Sequence, residues 1–167
     1  APDADAWAEV EAALADKWWG VRTVAIATLG AWGDARAVTR LKALLAGLPD
    51  EGGWNTWTQQ ARRAIFSALG HCLPGSEAAW ALQMYLERDD TWALQPALAR
   101  QPADFWEPVV AAEGRRDDPE RLARLCLVLA QVAAEPERRR RWQQRFESHP
   151  APEVRQWAIW AWSGRPQ

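Results

Sequence analysis

The residues that could carry chemistry are few, and their spacing does not suit catalysis. His71 and His149 are the only histidines, and Cys72 and Cys126 the only cysteines. His71 and Cys72 are adjacent on a helical pattern, so their side chains diverge and cannot share one tetrahedral metal. No glycine-rich phosphate loop, zinc-binding helix motif or serine elbow occurs. The carboxylate pairs Asp89-Asp90 and Asp117-Asp118 fall at helix ends or in loops, where acids cap and are solvated. The reading is therefore no catalytic residue, no metal and no cofactor. Both cysteines sit inside apolar helical patterns, which suits two buried free thiols; a disulfide stays open, since two cysteines make no framework.

Tryptophan and arginine are what the chain offers instead. Thirteen of 167 residues are Trp. A buried Trp removes about 150–250 Å² from water, so most must pack inside. Trp7, Trp32, Trp80 and Trp106 fit apolar stripes and are expected in the core. Trp18 and Trp19 are adjacent, so both cannot face one core. Trp54 and Trp57 follow a Gly-Gly loop, and Trp92 sits at a comparable helix start. These positions fit either partner recognition, which Trp and Arg dominate, or wedging between repeats. Arg62 and Arg63 belong to the same candidate surface. The one basic cluster, residues 137–146, carries Arg138 to Arg141 in succession. Consecutive residues wrap a helix, so a solvated face is expected, with an acidic partner or phosphate backbone as the rival.

Recurrent helices must position these residues. Val21-Arg22-Thr23-Val24-Ala25-Ile26 matches Val154-Arg155-Gln156-Trp157-Ala158-Ile159, and Leu29-Gly30 matches Trp162-Ser163. Ala61-Arg62-Arg63-Ala64-Ile65, ending in Leu69-Gly70, is a third copy. Weaker copies run from Arg121 to Ala130 and from Thr91 to Arg100. The spacing, roughly 30 to 40 residues, is a solenoid period. Each copy is followed by a second helical segment, at residues 34–48, 76–89, 104–113 and 137–148, with Asp34 and Ser76 as expected N-caps. A first helix is expected at residues 5–15. Pro96 and Pro108 read as first-turn prolines or kinks. No alternating run predicts a strand. The pattern predicts an all-α chain of about five helix pairs in one domain, 1–167.

The order Asp…Val-Arg…Ala…Leu-Gly…Gly-Asp resembles the HEAT-like repeat of the phycobilisome-lyase type, a short helix-pair repeat common in bacteria. The resemblance covers residues 5–164 and is strongest at 16–48 and 150–164. It implies an α-solenoid with a right-handed superhelix. Val21, Ala25, Leu29, Val154 and Ala158 would then be core, and Gly30 and Gly70 would allow close helix approach. Arg22 and Arg155 resemble the family's arginine that bridges to an acid nearby, with Asp16 and Glu153 as candidates. The alternative is that these arginines bind a ligand.

The last helical segment is apolar nearly all round, with Trp157, Ile159, Trp160 and Trp162. Such a helix must be covered, yet a terminal repeat normally turns a polar face outward. Another protein or a second copy of the chain is expected to dock there, with Trp160 or Trp162 as the anchor. Three functions compete: a non-catalytic protein-binding scaffold; small-ligand or glycan binding on an aromatic platform; and a HEAT-like DNA glycosylase or lyase-type enzyme. The net charge of −2 argues against nucleic acid. No apolar run spans a bilayer and no secretory signal is visible, which points to the cytoplasm. The start at Ala1 instead of Met fits a processed or trimmed end.

Overall fold

A computed structural model describes residues 2–49, 57–116 and 118–163. Among the described residues are α-helices, two 3-10 turns and no strand, so the chain is all-α as the periodicity predicts. The helices are α1 Ala4–Leu14, α2 Trp19–Trp32, α3 Ala37–Ala46, α4 Trp57–Cys72, α5 Ala78–Glu87, α6 Gln95–Ala99, α7 Ala103–Glu113, α8 Pro119–Leu129, α9 Pro136–Glu147 and α10 Pro152–Trp162. They fall into two compact units: residues 1–79 with 88–97, and residues 80–87 with 98–167.

Local chemistry sets the helix ends. The Asp3 carboxylate accepts the Ala6 amide at 2.8 Å and opens α1; Asp118 accepts the Arg121 amide at 3.1 Å and opens α8. Proline stands at the start of α8, α9 and α10, where its missing N–H costs nothing. Gly33 ends α2 in the left-handed region at φ 63°, which glycine adopts without strain. Two expected caps shift. Asp34 accepts the Arg36 amide at 2.9 Å, but in a turn ahead of α3, which begins at Ala37. Ser76 lies within the 3-10 turn Gly75–Glu77, and α5 begins after it. Pro96 occupies the first turn of α6, whereas Pro108 is interior to α7.

In the first unit α2 and α4 run side by side in the same direction. Their first residues meet, Trp19 against Trp57 with ring centroids 5.7 Å apart. Near their ends, a Cβ on Gly30 would lie 2.9 Å from the Ala68 Cα, so glycine alone permits the approach. Gly70 is as tight: a Cβ there would collide with the Ala93 carbonyl oxygen. Ile26, Leu29, Leu41, Ile65, Phe66 and Leu69 fill the core, with α1 against α2 and α3 against α4. Ala25 is buried as expected, but Val21 is exposed, because it lies off the line Trp19-Thr23-Ile26-Gly30 that faces α4. Trp7 and Trp32 are half-buried instead of core. Their rings stack at 5.8 Å, and the Arg36 guanidinium covers Trp7 at 4.3 Å, so a cation replaces protein on the outer face.

In the second unit α8 is the centre. Every residue from Leu122 to Leu129 is buried, with α7, α9 and α10 packed around the helix. Trp106, Trp142, Phe146, Val154 and Ala158 complete the core, while Trp80 is half-buried. Two arginines on α8 are satisfied inside. Arg121 grips Glu113 of α7 with two bonds, at 3.0 and 3.2 Å, and that bond raises its pKa. Arg124 donates to the Tyr85 carbonyl at 3.1 Å, and the Tyr85 hydroxyl returns a bond to the Arg124 carbonyl at 3.3 Å.

The glycines make a paired prediction. Gly70→Ala should destabilise by about 1–3 kcal/mol, because a backbone oxygen must move. Gly20, with nothing within 4 Å of its missing Cβ, should accept Ala with a gain of up to about 1 kcal/mol. Urea unfolding of both variants measures the contrast.

Candidate protein-binding surface

The repeated arginines come first, because they separate packing from surface. Arg22 donates through Nε to the Asp16 backbone carbonyl. Arg155 donates to the carbonyls of His149 and Pro150, both at 2.7 Å. Arg62 is buried and donates to the Pro49 carbonyl. Arg22 and Arg155 therefore both reach back to the backbone oxygen six residues earlier, in the turn before their helices, whereas the acceptor of Arg62 lies 13 residues back. The carboxylates of Asp16 and Glu153 are not the acceptors; the Asp16 carboxylate instead accepts the Trp18 amide at 2.7 Å. Turn carbonyls lack helical amides, and a guanidinium with five donors satisfies them at long reach. Arg62 thus leaves the candidate surface for the interior, whereas Arg63 stays exposed on α4.

The candidate tryptophans divide. Trp18 is 67% exposed, with the Lys17 ammonium 5.9 Å above its ring. Trp57 and Trp92 are exposed, and Trp19 is half-buried beneath Trp57. Trp54 lies outside the described residues. On α10, Trp160 is exposed and meets Trp157 edge to face at 5.5 Å. Trp162 turns inward: it stacks on Phe146 at 6.2 Å, and its indole nitrogen is buried. Trp160 is therefore the available anchor of the two.

The exposed apolar residues that the sequence reading missed are Val24 and Val21, whereas Trp157 and Ile159 belong to the last helical segment expected to be covered by a partner. Val24 sits three positions after Val21 on the same open side of α2, and Trp157 three before Trp160. That spacing was visible, but which side of each helix is covered was not. The first unit thus presents Trp18, Val21, Val24, Trp57 and Trp92, and the second presents Trp157, Ile159 and Trp160.

The basic cluster is mostly engaged within the chain. Arg138 bonds Asp104 at 2.8 Å and lies within 3.5 Å of Glu107 and Glu135. Its pKa is raised, foremost by the Asp104 bond. Arg139 donates to the Ala130 carbonyl at 3.0 Å. Arginines held by acids on their own unit leave less charge for phosphate.

Two grooves open in the first unit. One, of about 610 Å³, has an apolar floor of Leu14, Ala15, Ala43 and Leu44, with Arg22 beside it and the Arg40–Glu11 pair at its edge. The other, of about 420 Å³, runs between α2 and α4 over Ala27, Ala31, Ala64 and Ala68. Neither is lined by tryptophan, so neither makes an aromatic platform. Among the described residues no cluster of three or more His, Cys, Asp or Glu side chains could hold a metal, and no helix is long and apolar enough to cross a membrane.

No model of a known protein family matches the chain, and no curated protein matches it.

Both cysteines are free and buried. Burial, with a smaller push from the Asp34 charge, raises the Cys72 thiol from 9.0 to about 11, and burial also pushes Cys126 and Tyr85 upward. A raised thiol pKa favours the native state while the unfolded thiol is still protonated. Stability should hold below pH 9 and fall as pH rises from 9 towards 11, where unfolded thiols ionise and native ones do not. Chemical unfolding at stepped pH measures this. At pH 8 neither thiol should react with iodoacetamide until the chain is unfolded, when both do.

Proposed function

We propose that this protein is a non-catalytic scaffold of HEAT-like helix pairs that holds another protein through exposed tryptophan and apolar side chains. The observation that carries the reading is the number of large apolar side chains left in water. Trp18, Val21, Val24, Trp57 and Trp92 are exposed in the first unit, and Trp157, Ile159 and Trp160 in the second, where Trp157 and Trp160 meet edge to face. A single surface apolar residue is ordinary, but several exposed tryptophans cost solubility and suit an interface. The repeat character is supported by Arg22 and Arg155, which make the same turn-closing bond at matching positions, each to the carbonyl six residues back. It is also supported by the equivalent pairings of α2 with α4 and of α8 with α10.

Trp18, Trp57, Trp92, Trp160 and Arg63 are the contact residues of this reading. Trp19 supports the Trp57 ring, and Trp162 packs inward on Phe146. Internally paired arginines and a net charge of −2 favour a protein partner over nucleic acid. Affinity capture from native lysate tests it. The intact chain should retain one protein stoichiometrically, and Trp18→Ala or Trp160→Ala should lower its recovery at least tenfold. Retention of no protein, or equal retention by both variants, overturns the reading.

A further inference from the structure

The repeat register reveals which helix faces meet inside the chain and which stay open. α4 stands one repeat after α2, with Arg62 matching Arg22 and Gly70 matching Gly30. α2 meets α4 along Trp19, Thr23, Ile26 and Gly30: Trp19 touches Trp57, and Gly30 abuts Ala68. Ile26, between those contacts, is 0% exposed. α10 is the best copy of α2, and its four matching positions are Pro152, Gln156, Ile159 and Ser163. All four are exposed, Ile159 to 58%. The surface that α2 uses on α4 is therefore open on α10.

The complementary surface is open on α2. α4 receives α2 beside Ala64 and Ala68, whose matches in α2 are Val24 and Thr28. Val24 is 67% exposed. The offset that pairs Trp19 with Trp57 also pairs Gly30 with Ala68. Applied to α10 and α2, it sets Ile159 on Val24 and Ser163 near Thr28. It also brings Glu153, an exposed acid at the start of α10, beside the exposed Lys17. Neither α2 nor α4 contains an acidic residue, and the one carboxylate beside Lys17, that of Asp16, is turned to the Trp18 amide.

We infer that α10 of one copy docks head-to-tail on the Val21–Val24 face of α2 in a second copy, reproducing between chains the α2–α4 contact within one. The inference rests on the helix-pair reading of the proposed function and identifies a partner for these two faces. A second copy is the occupant because one chain carries both halves, in register and with opposite charges at the matching end. Two α10 helices packed together would leave Val24 uncovered. A contact between two different faces builds rings or chains, the smallest ring being a reciprocal pair.

Sedimentation equilibrium of the purified chain tests the inference, from micromolar to near-millimolar concentration. Val24→Asp and Ile159→Asp alter exposed positions, and circular dichroism should show unchanged helix content in both. The intact chain should rise to at least twice its monomer mass. Each variant alone should stay monomeric. Their equimolar mixture should form a one-to-one dimer and stop there, since Val24→Asp still offers its α10 and Ile159→Asp its α2. An intact chain that stays monomeric overturns the inference, as does self-association of Val24→Asp or a mixture that stays monomeric. Only pure protein is used, so this failure is distinct from failure of the scaffold reading, which lysate capture with the Trp18 and Trp160 variants decides.

Discussion

A backbone carbonyl in the turn before a helix has no amide of its own to accept, and the chain answers that deficit with arginine. Arg22 and Arg155 each reach back from the first turn of their helix to the carbonyl six residues earlier, and Arg62, further along α4, reaches the Pro49 carbonyl. An unpaired polar group shielded from water costs about 1–3 kcal/mol, so the Arg22 and Arg155 bonds fix where α2 and α10 leave their turns. With the entry angle of α2 set, the small residues further along can meet α4. Gly30 lies against Ala68 because α2 and α4 run in the same direction.

The tryptophans follow from that geometry. Close packing of small residues on one helix face leaves large side chains to fill the flanks or stand in solvent. Trp106 and Trp142 fill flanks, at the cost of indole N–H groups that are buried with no acceptor among the described residues. Trp7 and Trp32 take a middle course, stacked and capped by Arg36. That guanidinium is itself held by Asp34 at 2.7 Å, whose carboxyl stays below its ordinary range chiefly through the same bond. What remains in solvent includes Trp18, Trp57, Trp92, Trp157 and Trp160, large side chains of the kind that suit an interface.

The interior arginines bear on function as much as on fold. Counted from the sequence, Arg62, Arg121, Arg124 and Arg138 look like material for an acidic ligand. In the folded chain each is engaged by a carbonyl or a carboxylate. Burial lowers the Arg124 pKa, yet its bond to the Tyr85 carbonyl leaves the cation supported. These four guanidinium groups are thereby withdrawn from recognition of an acidic ligand.

The amino-acid order by itself determined the helical class, the turn positions and the recurrence of Val-Arg and Leu-Gly, because these depend on residues a few positions apart. Helix periodicity, proline and glycine punctuation and caps such as Asp3 act locally. It also marked Gly30 and Gly70 as close-approach positions and Trp106 as core. Tertiary structure alone decided which side of each helix is covered. Val21 and Val154 hold the same place in their copies, yet one is exposed and the other buried, since different elements surround them. Ile26 and Ile159 differ in the opposite sense for the same reason. Arg62 and Arg63 are neighbours in sequence, yet in the folded chain one is buried and bonded to the Pro49 carbonyl and the other is in water. A local pattern specifies a helix and its faces; whether a face meets protein or solvent depends on residues far away in the chain.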